Sequence, residues 1–173
     1  MDLEKDALPA RGLDGAWARW VLAFLRKPRP LLERAVAALR PGGVLVLYEY
    51  IDYSAWRLAP RLPEMEEFVR VVIESWRADG GEPDIGLELP RWLGELGCEI
   101  RELRPIVDVV SPDNFVWQWP KCFIDVGIAR LVDLGRLAPE RGREIAAAFA
   151  RAEAEPHTRM ITPVVLEVIA VRR

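Results

Sequence analysis

An acid that closes an apolar strand-like run needs a partner or water. Glu49 is such an acid, since residues 44–50 read VLVLYEY. Tyr50, Tyr53 and Trp56 follow it, and a carboxylate beside aromatic rings can orient a small molecule or accept its proton. For each ring taken singly, packing beneath a loop is the competing role. His157, the only histidine, has the intrinsic basicity to deprotonate a hydroxyl or an amine. A lone loop histidine can equally be incidental. Trp117 and Trp119, bracketed by Pro112 and Pro120, share with Trp56, Trp76 and Phe123 two long segments, 51–85 and 111–158. Rings of this kind suit a small, partly apolar substrate held away from water. Trp76 and Phe123 also fit ordinary helix core.

The elements that would position these residues alternate in type. Residues 13–20 read as a short buried strand. Residues 28–39 read as a helix that opens on prolines and stops at Pro41-Gly42-Gly43. The run 44–50 is rich in strand formers on both sides, as expected of a parallel strand buried on two faces. Strand, helix and strand in this order make one right-handed βαβ unit. Met65, Phe68, Val69, Val72, Ile73 and Trp76 recur at helical spacing up to Gly80-Gly81. A helix at 87–96, a strand at 99–110 with Pro105 at a bulge or edge, and helices at 113–134 and 139–153 follow. Residues 160–171 form the last strand, with Pro163 near its start.

With 173 residues, 51% of them hydrophobic and 29% charged, the chain is sized for a single globular domain spanning 1–173. A net charge of −3 with scattered arginines gives no reason to expect a nucleic-acid partner. No apolar stretch is long enough to cross a bilayer, and the N-terminus lacks the order of a signal peptide. Cys98 and Cys122 have neither disulfide-framework nor zinc spacing, so no metal is expected and a cytoplasmic setting is.

Three stretches together resemble the C-terminal part of the class I S-adenosylmethionine-dependent methyltransferases. DGAWARWVLAFLRKPRPLLERAVAALRPGG resembles the family's fourth strand, its helix and the turn that follows. VLVLYEY resembles the fifth strand, and ITPVVLEVIAVRR the antiparallel final strand. The resemblance implies an α/β fold: a partial Rossmann-like sheet with helices on both faces, in which 51–85 and 111–158 are helical insertions capping the ligand face. Glu49 and His157 would be its catalytic candidates, and Tyr50, Tyr53, Trp56, Trp117 and Trp119 its substrate-binding ones. It sets Arg19 and Trp20 beside the methionine part of the cofactor and likens Asp2-Leu3 to the pair that contacts adenine. Methyl transfer would be an in-line displacement at a sulfonium carbon, which needs alignment and exclusion of water more than acid–base help.

The family's glycine-rich turn, which lets backbone approach the cofactor at a helix N-terminus, has no counterpart in these residues. An internal start at Met1, a fragment and a reduced protein all fit that finding. Weak or no S-adenosylmethionine binding is expected of the chain alone, and its catalysis is in question. A non-catalytic binding or assembly module is the alternative function, and another cofactor-using α/β enzyme, such as a dehydrogenase, a third. The missing first strand would leave the strand at 13–20 with a bare edge. A homodimer through that edge, with the 1–9 segment nearby, is therefore expected.

Overall fold

The computed structural model describes residues 2–6, 8 and 10–173. Met1, Ala7 and Pro9, part of the segment expected near an interface, lie outside them. Along the chain come β1 (Leu13–Arg19), α1 (Pro28–Ala38), β2 (Leu39–Asp52), β3 (Arg57–Ala59) and α2 (Pro63–Ala78). Then follow α3 (Leu89–Glu95), β4 (Cys98–Ile106), β5 (Val109–Val110), α4 (Gln118–Asp133), α5 (Pro139–Ala154), β6 (Arg159–Ile161) and β7 (Val164–Arg172).

Two compact units result. One draws on residues up to Asp52, Asp79–Ile106 and Val165–Arg173; the other on Tyr53–Ala78 and Val107–Val164. The second unit thus gathers most of the two segments that the sequence sets apart as insertions.

The first unit is a four-stranded sheet in the order β1-β2-β7-β4, with β1 parallel to β2 and β4 antiparallel to β7. It is the mixed α/β, Rossmann-like sheet expected from the sequence. Pro28 and Pro30 open α1, where a missing N–H costs nothing. Its last carbonyls are satisfied from a distance: Arg172 donates to Val36, Ala37 and Leu39 oxygens.

The Pro-Gly-Gly segment does not simply end the helix. Leu39 already pairs with Leu13, and the register then jumps to Gly15 opposite Val44, so residues 40–43 form a bulge inside β2. Gly42 sits at φ 79°, and a Cβ on Gly43 would lie 2.9 Å from the carbonyl oxygens of Arg40 and Leu13. The glycines are needed for that close backbone approach.

Beyond the bulge, Leu45, Leu47 and Glu49 are buried while Val44, Val46 and Tyr48 are half-buried. The expectation of burial on both faces therefore holds for one face only. On the other, Trp17 of the neighbouring strand is 61% exposed, and the Tyr48 hydroxyl donates to Glu167. Pro105 lies on β4, an edge strand, where its missing donor is harmless.

The second unit holds a three-stranded antiparallel sheet, β3-β6-β5, with α2, α4 and α5. The single strand expected at 160–171 is two strands, because Thr162 and Pro163 break it. Thr162 N–H donates to the Asp108 carbonyl and the Asp108 N–H to Thr162 Oγ1, both at 3.0 Å. The core of this unit is aromatic. Trp56 meets Tyr53 and Phe68 edge-on at 5.9 and 5.8 Å, and Phe123 tilts against Trp56 and Phe68 at 6.2 Å. Among the described residues no helix is long and apolar enough to cross a membrane. None of their His, Cys, Asp and Glu side chains form a group of three or more that could hold a metal ion.

Candidate functional site

In an open parallel sheet the carboxyl ends of the strands are where ligands bind. Arg19 closes β1, and Glu49 and Tyr50 stand two to three residues before the end of β2. The ladder runs one residue past β1, with Trp20 N–H donating to the Tyr48 carbonyl at 2.9 Å. Trp20 then takes φ 53°, the left-handed region that a bulky residue seldom occupies. That turn swings the chain so that its next three N–H groups converge on one carboxylate.

Glu49 Oε1 accepts from Val21 and Leu22 at 2.9 and 2.8 Å, and Oε2 from Ala23 at 3.4 Å. The residue is 0% exposed. Burial pushes its carboxyl above the ordinary glutamate range, against the opposing pull of the three N–H groups. The structure thus gives Glu49 a different task from the catalytic one read in the sequence. Both of its oxygens hold the backbone turn, and neither is open to a substrate.

Trp20 and Tyr50 stack with centroids 5.6 Å apart and planes 3° from parallel. Above this pair the Arg19 guanidinium lies 4.5 Å from the Trp20 ring centroid and 5.9 Å from that of Trp17. Among the described residues Arg19 forms no ion pair, and it is exposed. Arg19, Trp20, Tyr50 and Glu49 are the predicted residues that the structure brings together: a cation over a flat aromatic wall, with a buried acid fixing the turn behind it.

The rest are placed apart. Asp2 is exposed in a local turn, where the Glu4 N–H donates to its carboxylate at 2.9 Å and, with Lys5, holds it below the usual range. The carbonyl of Leu3 accepts from Arg34. Tyr53 is buried in the second unit between Trp56 and Trp76. Trp117 is 0% exposed, stacked on Phe149 at 5.9 Å, with Nε1–H donating to Glu153 Oε1 at 2.8 Å. Lys121 holds the other oxygen of Glu153 at 2.8 Å. Trp117 is therefore core, contrary to its reading as a substrate contact, because its ring has a stacking partner and its N–H an acceptor. Trp119 is half-buried on α4, and His157 is exposed in the turn between α5 and β6.

Sequence reasoning missed the network around Glu167 on β7. Tyr48 O–H and Arg104 Nε, the latter at 2.7 Å, hold that carboxyl below the ordinary range. An acid in the middle of an apolar final strand was the available signal. It also missed the arginines of the second unit.

No family sequence model and no curated protein sequence matches the chain, so its likeness to known proteins is one of backbone geometry. It superposes over 100% of its length on a provisionally assigned methyltransferase from Bacillus halodurans C-125, at TM-score 0.56 and 13% identity, covering 76% of that chain. The YcgJ protein from Bacillus subtilis gives TM-score 0.53 at 14% identity, over 99% of this chain and 68% of that one. A provisionally assigned sarcosine dimethylglycine methyltransferase from Galdieria sulphuraria gives 0.51 at 11%, over 99% and 57%. The fold is that of the Rossmann-like methyltransferases, and the chain spans between 57% and 76% of the length of these three structures.

Proposed function

We propose that the chain is the substrate-side part of an S-adenosylmethionine-dependent methyltransferase acting on a small, partly apolar molecule. The observation that carries this reading is the cluster at the ends of β1 and β2, where Arg19, Trp20 and Tyr50 meet on a methyltransferase-like sheet. Arg19 offers a planar fork of donors suited to a carboxylate such as that of a methionine moiety. The Trp20–Tyr50 stack offers an apolar wall and helps exclude water.

The described residues do not, however, make a complete cofactor site. The family's glycine-rich turn has no counterpart in the sequence, and the N–H groups that follow Trp20 are already bonded to Glu49. A backbone cradle is missing there, so the chain's own contribution is to bind and orient.

Titration of isotope-labelled chain with S-adenosylhomocysteine, followed by NMR, tests the reading. Weak, saturable shifts at the Trp20 indole and the Arg19 guanidinium are expected, and they should vanish in Arg19→Ala. No shift at either residue would sink it, and micromolar affinity would refute the incomplete site.

The use of Glu49 as a backbone anchor favours a second reading, a binding or assembly module without catalysis. In that case S-adenosylhomocysteine leaves both residues unmoved. A homodimer is part of the same proposal: β1 stands at the sheet edge, beside an exposed Trp17. Sedimentation equilibrium at micromolar concentration should find the dimer mass, and a stable monomer would remove that part. The free thiols of Cys98 and Cys122 support a cytoplasmic setting.

A further inference from the structure

The second unit contains a groove of about 420 Å³ whose lining residues all belong to that unit. One wall is a stripe of α2: Glu66, Val69, Arg70, Ile73, Glu74 and Arg77, spaced as a single helical face. Ser54, Trp56, Arg57 and Arg61 complete the lining. The lining thus holds four arginines and two glutamates together with Trp56, Val69 and Ile73.

Both acids are already engaged. Glu66 takes Arg61 through both oxygens at 2.6 and 2.8 Å, and Glu74 takes Arg70 at 2.8 Å. Arg57 has no such partner. Its Nε and Nη2 donate at 3.2 and 3.4 Å to the carbonyls of Ala55 and Ser54, which carry no full charge. Among the described residues it makes no ion pair. A second observation comes from Trp56, another lining residue. Trp56 is 1% exposed, and its buried Nε1–H has no acceptor. A buried donor of this kind is costly unless something accepts from it.

We propose that this groove binds a small organic carboxylate with an apolar body. The carboxylate is held by Arg57, with the Trp56 N–H as a further donor, and the body lies along Val69 and Ile73. A guanidinium without an ion pair of its own, an indole donor left without an acceptor and the apolar side chains beside them call for one ligand with those three features. The inference does not rest on methyl transfer and is tested without any cofactor.

Octanoate is the probe, with octanol, octylammonium and inorganic phosphate as its counterparts, each titrated calorimetrically into the whole chain. Octanoate is expected to bind saturably, more weakly as salt rises. Octanol and inorganic phosphate should each bind at least roughly tenfold more weakly, since each lacks one half of the interaction. Octylammonium should not bind. Arg57→Gln, an exposed change that leaves the core alone, should lower octanoate affinity roughly tenfold or more. The Trp56 indole N–H resonance should move downfield on binding. Trp56→Phe keeps an aromatic ring and should weaken octanoate while leaving the Arg57 dependence in place. Absent octanoate binding, octanol or phosphate binding as tightly, or an Arg57→Gln variant with unchanged affinity would each overturn the proposal.

Discussion

Each unit sets a tryptophan close to a glutamate, and the two pairings do opposite things. In the second unit Trp117 gives its N–H directly to Glu153 and its ring to Phe149, and disappears into the core. In the first, Trp20 stays half-buried on Tyr50, and Glu49 bonds the backbone that follows Trp20. The first arrangement uses the acid to finish a core residue. The second uses it to hold a ring at a surface, which is what a binding wall requires.

The largest expected effect is therefore in the second unit. Trp117→Ala should cost about 3–5 kcal/mol of unfolding free energy, measured by denaturant titration, as truncation of a core aromatic does. A loss well under that would return Trp117 to the substrate-contact role read in the sequence. Glu49→Gln should cost about 1–3 kcal/mol, because an amide cannot accept from three converging N–H groups with two oxygens. Its Trp20 fluorescence should change as the turn loosens. Unaltered stability would mean that Glu49 is free for chemistry after all.

A pH series sharpens the contrast inside the first unit. Burial raises the Glu49 carboxyl, so its stabilising contribution is present below the ordinary glutamate value and lost as pH rises through the raised one. Tyr48 and Arg104 lower that of Glu167, so its contribution is present above the ordinary value and lost as pH falls through the lowered one. The stability differences between the wild type and Glu49→Gln, and between the wild type and Glu167→Gln, should slope in opposite senses across the acidic range. Parallel slopes would show that the two carboxyls share one environment. The smallest effect is Arg19→Ala, expected to cost no more than about 0.5–1 kcal/mol, the worth of an exposed cation–aromatic contact.

The order of helices and strands was legible because periodicity and proline placement are local signals. Of the departures, which include the unforeseen β3 and the division of 99–110 into β4 and β5, two had non-local causes. Leu39 joined β2 because Leu13 was there to pair with it, across a bulge that the glycines only permit. Residues 159–172 split because Thr162 bonds Asp108, a partner 54 positions away. At the site, the stacking of Trp20 on Tyr50 followed from both residues lying at strand ends. The role of Glu49 did not, since its partners are main-chain N–H groups, which every residue has and no side-chain pattern marks.

The sheet of the first unit has its last-made strand in its interior: β7 lies between β2 and β4, which both need it. During synthesis β1, β2 and β4 emerge long before the strand that joins β2 to β4, and both stretches of the second unit, Tyr53–Ala78 and Val107–Val164, are made before β7 is complete. Until β7 leaves the ribosome, β2 and β4 each keep an unsatisfied edge, a template for pairing with any passing chain. Nascent chains halted before residue 164 should therefore be held by chaperones and prone to aggregate, while the released chain closes the sheet in one late step.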